Sequence, residues 1–157
     1  MLKKHKGFSL VEILIVVGII GLILVILVIS LNAKQAQLRD LQRVKDVRTL
    51  QEALQVMKNE TGSYERSYCS PGIVSRCSSN NSFDLLKLLP NLKNINDPTE
   101  SAVGCEKDDT CRNQSCNYTF TKVQDNDYEI RFHLEKGIEN FPSAGCYIAT
   151  PQGTRKL

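Results

Sequence analysis

Hydrophobic and polar positions divide this chain into stretches of different periodicity. Residues 13–31 (ILIVVGIIGLILVILVISL) hold no charge over nineteen positions, sixteen of them Ile, Leu or Val. As a helix this run is about 29 Å long, close to the hydrocarbon thickness of a bilayer. Its aliphatic side chains favour insertion by about 5–10 kcal/mol in sum, whereas Glu12 at its edge costs at most about 3 kcal/mol. The run therefore reads as a membrane span. A secretory signal peptide is the rival reading, with Ala33 and Ala36 imitating a cleavage site. Its apolar part is usually about 7–15 residues, and here the longer run continues into residues 32–35 without a helix breaker.

From residue 32 to residue 59 the pattern stays helical, with no Gly or Pro. Leu38, Leu41 and Val44 centre on a direction about 180° from that of Val47, Leu50, Leu54 and Met57. The nearer stripe then faces neighbouring molecules and the farther one faces the chain's own globular part. The alternative is one stripe winding around a curved core. Residues 8–59 as a single helix would reach about 78 Å. Gly18 and Gly21 are the only breakers in the apolar run, each weakening the helix by about 1 kcal/mol relative to Ala, and small residues also let helices approach closely in lipid. Gly62 suits a left-handed cap after residues 59–61.

Beyond it the pattern changes again. Residues 65–81, rich in Ser, Asn and Cys around Pro71-Gly72, read as loop. Residues 82–89 read as a short helix capped by Ser82 and stopped by Pro90. Residues 91–116 read as irregular. Residues 118–123, a turn at 124–127, and the alternating residues 128–134 read as two strands, with a third at 145–150. The predicted fold class is α+β: a long N-terminal helix, half transmembrane and half amphipathic, packed on one face of a small antiparallel sheet.

Charge adds a direction. Lys and Arg number 20 against 17 Asp and Glu, a net +3. Lys3, Lys4 and Lys6 carry that whole excess, so nothing here points to nucleic acid. Basic residues ahead of the span place the N-terminus in the cytoplasm and export the rest. Glu12 admits two readings: a carboxylate snorkelling to the headgroups, or one with a cationic partner in the membrane or in an assembly.

The N-terminus as a whole, Lys3-Lys4-His5-Lys6-Gly7-Phe8-Ser9-Leu10-Val11-Glu12 followed by apolar sequence, closely resembles that of type IV pilin-like proteins. These include type IV pilins, type II secretion pseudopilins and competence pilins. The resemblance covers about the first twenty-five residues. It implies a leader, residues 1–7, removed by a prepilin peptidase after Gly7. It also implies N-methylation of Phe8 and a role for Glu12 in pairing with the N-terminal amine of a neighbouring subunit. The remaining parts are then an assembly helix (8–31), its amphipathic continuation (32–60) and an exported head (61–157). The implied partners are identical or related pilin subunits, the prepilin peptidase/methylase and an inner-membrane assembly platform. The implied function is a structural filament subunit, not an enzyme, with a pseudopilin of a secretion or DNA-uptake system as the alternative. A non-polymerising membrane-anchored binding module is the reading from another class.

Three departures from the family pattern stand out. No proline interrupts the apolar helix. Glu65 stands where Gly-x-Tyr-Pro would place Pro after Gly62-Ser63-Tyr64. Asp97-Pro98 before Tyr118-Thr119-Phe120 resembles the Asp-Pro…Tyr-x-Tyr stretch of secretion pseudopilins, but a Cys-rich insertion separates the two parts and Trp-Gly is missing.

Cys69, Cys77, Cys105, Cys111, Cys116 and Cys146 all follow the span. An even count in an exported domain predicts three disulfides among fifteen pairings. Cys69–Cys77 is the one local pairing expected, because it would pin a structureless loop. Zinc is the sharper alternative, although no Cys-x-x-Cys occurs and the spacings are wide for a zinc knuckle. No metal or other cofactor is expected, with calcium in the 105–111 loop as the exception to weigh. Glu106, Asp108 and Asp109 offer oxygens there without an ordered ligand spacing. His5 leaves with the leader, and His133 belongs to a strand face with no visible triad.

Overall fold

The computed structural model describes residues 9–67, 69, 71–78 and 84–157. The chain divides into two compact units, Met1–Gln35 and Ala36–Leu157. Helix α1, Leu10–Thr61, supplies the helical residues of the first unit and the first element of the second. Its uninterrupted aliphatic and charged sequence, free of Pro, sustains the hydrogen-bond ladder. Gly62 ends it at φ +80°, with its N–H donating to the carbonyl of Lys58 at 2.8 Å.

In the second unit a five-stranded antiparallel meander follows, in the order β1 (Gly72–Ile73), β2 (Thr119–Gln124), β3 (Asp127–Leu134), β4 (Gly145–Thr150) and β5 (Gly153–Lys156). Alternation along the strands sends Phe120, Tyr128, Ile130, Phe132, Tyr147 and Ala149 into one core with Val47, Leu50, Leu54 and Met57 of α1. The β2–β3 turn docks on the end of α1. There the Asp125 carbonyl accepts from the Tyr64 N–H at 3.0 Å and the Lys58 ammonium at 2.9 Å.

The buried stripe of α1 differs from the two stripes expected from sequence. Ala36, Asp40, Arg43, Val47, Leu50, Leu54 and Met57 are all buried, in alternating steps of four and three. Val44 is buried beside them and belongs to the core, whereas Leu38 and Leu41 remain 65% and 56% exposed. Two positions of the inward stripe thus carry charge, which disguised its continuity.

Those two charges organise the head. Arg43 is fully buried and uses all five of its N–H donors. Nε and Nη2 grip Asp97 at 2.6 and 2.9 Å, Nη1 reaches Asp40 and Glu135 at 2.7 Å each, and Nη2 also reaches Ser115 Oγ at 3.2 Å. Asp40 in turn accepts the backbone N–H groups of Glu135, Lys136 and Gly137, each at 2.8 Å. Gly137 makes that turn at φ +89°, where a Cβ would run into the backbone of Phe141 and Pro142. Arg39 closes the network with a two-point contact to Glu135 at 2.8 and 2.6 Å. One guanidinium therefore ties α1 to the 97 loop, the 115 loop and the end of β3. Burial opposes the charge on Arg43, but its hydrogen bonds and proximity to Asp97, Glu135 and Asp40 prevail and raise its pKa.

Three local expectations are corrected. Ser82, the expected cap, lies outside the described residues; helix α2 is shorter, Leu85–Leu88, and Asp84 caps it by accepting from the Lys87 N–H. The stretch 91–116 is not wholly irregular. It contains a 3-10 turn, Leu92–Asn94, and helix α3, Asp108–Asn113, whose first turn holds two acids that favour a helix N-terminus. Finally, the sheet gains its short edge strands β1 and β5, the first only two residues long and the second lacking apolar alternation.

Replacing Arg43 with Ala is expected to destabilise the head by about 3–5 kcal/mol, because Asp40 and Asp97 are left buried without their cation. Leu41→Ala should change stability by less than about 0.5 kcal/mol. Denaturant unfolding of the detergent-solubilised chain measures both; a mild Arg43→Ala effect would contradict the network's role. A pH prediction follows from Glu135, whose carboxyl falls from 4.5 to about 2, chiefly through the Arg39 hydrogen bond, against burial and with Arg43 in support. Its contribution is complete above about pH 4.5 and is lost as pH falls toward 2. Glu135→Gln should therefore flatten the stability profile between those limits while lowering stability at neutral pH.

Candidate functional site

The first unit is dominated by surface that water cannot solvate favourably. Every Leu, Ile and Val from residue 10 to residue 31 is at least 49% exposed. An eighteen-residue window of α1 reaches a mean hydropathy of 3.4 with none of it buried. Such a helix satisfies its own backbone and needs only an apolar surrounding.

Its first turn carries the one acid. The Ser9 carbonyl accepts from the Glu12 N–H at 3.0 Å and from the Ile13 N–H at 3.3 Å, which starts the ladder. Glu12 lies near the positive end of the helix, where a carboxylate is favoured. It shares a shallow helix groove with Ile13, Val16 and Val17. Among the described residues no cation pairs with it. Gly7 and Phe8, the expected processing residues, lie outside the described residues, as does the rest of the leader.

The six cysteines form three bonds: Cys69–Cys77, Cys105–Cys116 and Cys111–Cys146. The first spans the turn region around β1. The other two sit together on the sheet face opposite α1, where Cys111 of α3 meets Cys146 of β4. Of the three acids weighed as oxygen donors to calcium, one has an ionic partner. Asp108 pairs with Arg131, and Arg131 Nη1 also donates to the Glu106 carbonyl at 3.3 Å. A guanidinium of β3 thus engages the oxygens of this loop. His133 is buried, with Nδ1 at 2.6 Å from the Cys111 carbonyl, a structural contact between β3 and α3.

Sequence reasoning overlooked Asp40, Arg43 and Glu135. Asp40 and Arg43 carried a signal, an acid and a base three residues apart at inward positions of an otherwise apolar stripe, whereas Glu135 carried none.

Residues 2–28 match the family model of the prokaryotic N-terminal methylation motif. The chain carries a prepilin-type signal. This is the signal of type IV pilin-like and pseudopilin-like precursors, and it implies processing by a prepilin peptidase and assembly with other pilin-type subunits. With the apolar α1 it fits a membrane-anchored precursor. The long helix and antiparallel sheet agree with a pilin fold. No curated protein and no solved structure matches the chain.

Proposed function

We propose that this protein is a structural subunit of a type IV pilus-like filament. It waits in the inner membrane with its N-terminus in the cytoplasm and is cut after Gly7. It then polymerises by moving its apolar helix from lipid into a bundle of like helices. The observation that carries this reading is the prepilin-type signal leading into a fully exposed apolar helix with a single acid in its first turn.

The physics gives that acid a task. In a bundle, a carboxylate surrounded by aliphatic side chains is costly unless a cation meets it. Cleavage after Gly7 creates such a cation, the amine of Phe8. One amine on one subunit meeting Glu12 on the next sets the axial register, as a single polar residue does in a coiled-coil seam. Apolar contact alone would let such smooth helices slide. Processing and assembly are therefore linked: an uncut chain has no amine at the right place. Leu38 and Leu41, left exposed by the head's own packing, extend the apolar surface available to neighbours. The Asp97-Pro98 block keeps a pseudopilin of a secretion or DNA-uptake machine as the alternative role.

Glu12→Ala should leave membrane insertion and cleavage intact, because removing an acid only eases insertion, yet reduce assembled filament at least about tenfold. Sheared-filament yield against membrane-bound precursor reads this out, and wild-type filament levels from the variant would overturn the role given to Glu12. In a deletion strain, loss of surface fibres supports the pilus reading. Loss of protein export or DNA uptake with fibres intact assigns the alternative.

A further inference from the structure

Among the described residues of the second unit, four large apolar side chains are left exposed: Leu38, Leu41, Val56 and Val103. The first three belong to α1. Val103 stands apart, 52% exposed on a loop, and the N-terminal signal gives it no task.

The loop that carries Val103 is built to hold it still. The Val103 carbonyl accepts from the Asn117 N–H at 2.8 Å, and the Val103 N–H donates to Ser101 Oγ at 3.3 Å. Asn117 Nδ2 donates to the Ser101 carbonyl, also at 3.3 Å. The Cys105–Cys116 bond closes the loop behind them. At its start, the Asp97 carbonyl accepts from the Glu100 N–H at 2.8 Å, while Arg43 grips the Asp97 carboxylate. Glu100 adopts φ +54°, and among the described residues no other non-glycine has a positive φ. That conformation favours glycine. A carboxylate kept where glycine fits better, beside an apolar side chain held outward, marks a surface built for contact. Residues 98–110 carry four acids, Glu100, Glu106, Asp108 and Asp109, and one base, Lys107.

A complementary surface lies on the same unit. Between α1 and the hairpin closed by Ile138 and Phe141 runs a groove of about 270 Å³. Leu41, Val44 and Ile138 give it apolar walls, and Lys45 and Arg48 line it beside a single acid, Glu52. Both cations are exposed, and neither makes an ion pair among the described residues. An apolar knob among acids thus has its counterpart in an apolar groove among unpaired cations, and the two surfaces share no residue.

We propose that Val103 of one copy seats in this groove on a second copy, with Glu100 facing Lys45 and Arg48. Knob and groove are different patches, so the contact is head-to-tail: each copy offers both, and the series stays open as a helix of subunits. This inference rests on the filament reading and assigns the heads a contact of their own. So small a contact is weak between free molecules. A neighbour already held by its apolar helix presents the knob at high effective concentration, and the rigid loop has little order left to lose.

The test places a photoreactive benzoylphenylalanine at position 103 in cells with active prepilin peptidase, and irradiates sheared filaments. Cross-linked dimers are expected, joining residue 103 of one copy to the peptides around residues 41–48 or 138 of another. The detergent-solubilised single chain should give none. Separately, Arg48→Glu or Glu100→Lys should each lower filament yield at least about tenfold, and the two together should restore it to within about threefold of wild type. Unchanged urea midpoints of the solubilised variants show that folding is intact, and cross-linking decides the question if either variant misfolds. Filaments whose cross-links fall on other surfaces or on lipid, or a double variant as poor as the folded single ones, would overturn this inference alone. Absence of any filament from the wild type would overturn the filament reading, and this inference with it.

Discussion

An exposed apolar helix surface is the constraint on which the proposed function of this protein depends. The aliphatic side chains between residues 10 and 31 are each at least 49% exposed. Water is excluded as their surrounding by the hydrophobic effect, at roughly 25 cal/mol for each Å². Lipid and a bundle of like helices are the two surroundings that satisfy them, and they are similarly apolar. Transfer between them is therefore close to neutral in hydrophobic terms, so a polar contact can decide the direction and the register. In the proposed filament Glu12 makes that contact.

The head applies the same principle within one chain. Along α1 the inward stripe passes from Met57, Leu54, Leu50 and Val47 to Arg43 and Asp40 without losing its spacing. The apolar part supplies burial, which is non-directional. The ionic part supplies direction: Arg43 has a fixed fork of donors, and Asp97, Asp40, Glu135 and Ser115 consume all of it. The loops between residue 90 and residue 117, which have few apolar anchors, are held to the helix through this group. Nearby, the Tyr118 hydroxyl donates to Asp46 at 3.1 Å, and burial first, then that acid, raises the tyrosine's pKa. Here too a strand end is joined to α1 by a polar contact rather than by burial alone.

Much of this was legible in the residues. The apolar helix, the left-handed stop at Gly62 and the three longer strands each follow from a local pattern: an uncharged run, a glycine after the last helical turn, and alternation along residues 128–134. The Arg43 network was not legible, because its partners lie at residues 97, 115 and 135 and only the fold brings them together. Helix α3 was hidden by its six-residue length and by cysteine-rich surroundings that read as loop. β5 was hidden because Gly153-Thr154-Arg155-Lys156 is an edge strand with little side-chain burial to record in its sequence. At the N-terminus the reverse holds: the order of basic residues, Gly7, Phe8 and Glu12 states the chemistry more fully than the geometry of one isolated chain, since the partner of Glu12 belongs to another molecule in the proposed filament.

The central claim is that this chain is cut to expose an amine and then assembles through it. Mass spectrometry of the protein from its native membranes and filaments tests that most directly. The account predicts a mature chain beginning at an N-methylated Phe8; a chain retaining residues 1–7 in the presence of an active prepilin peptidase would contradict it.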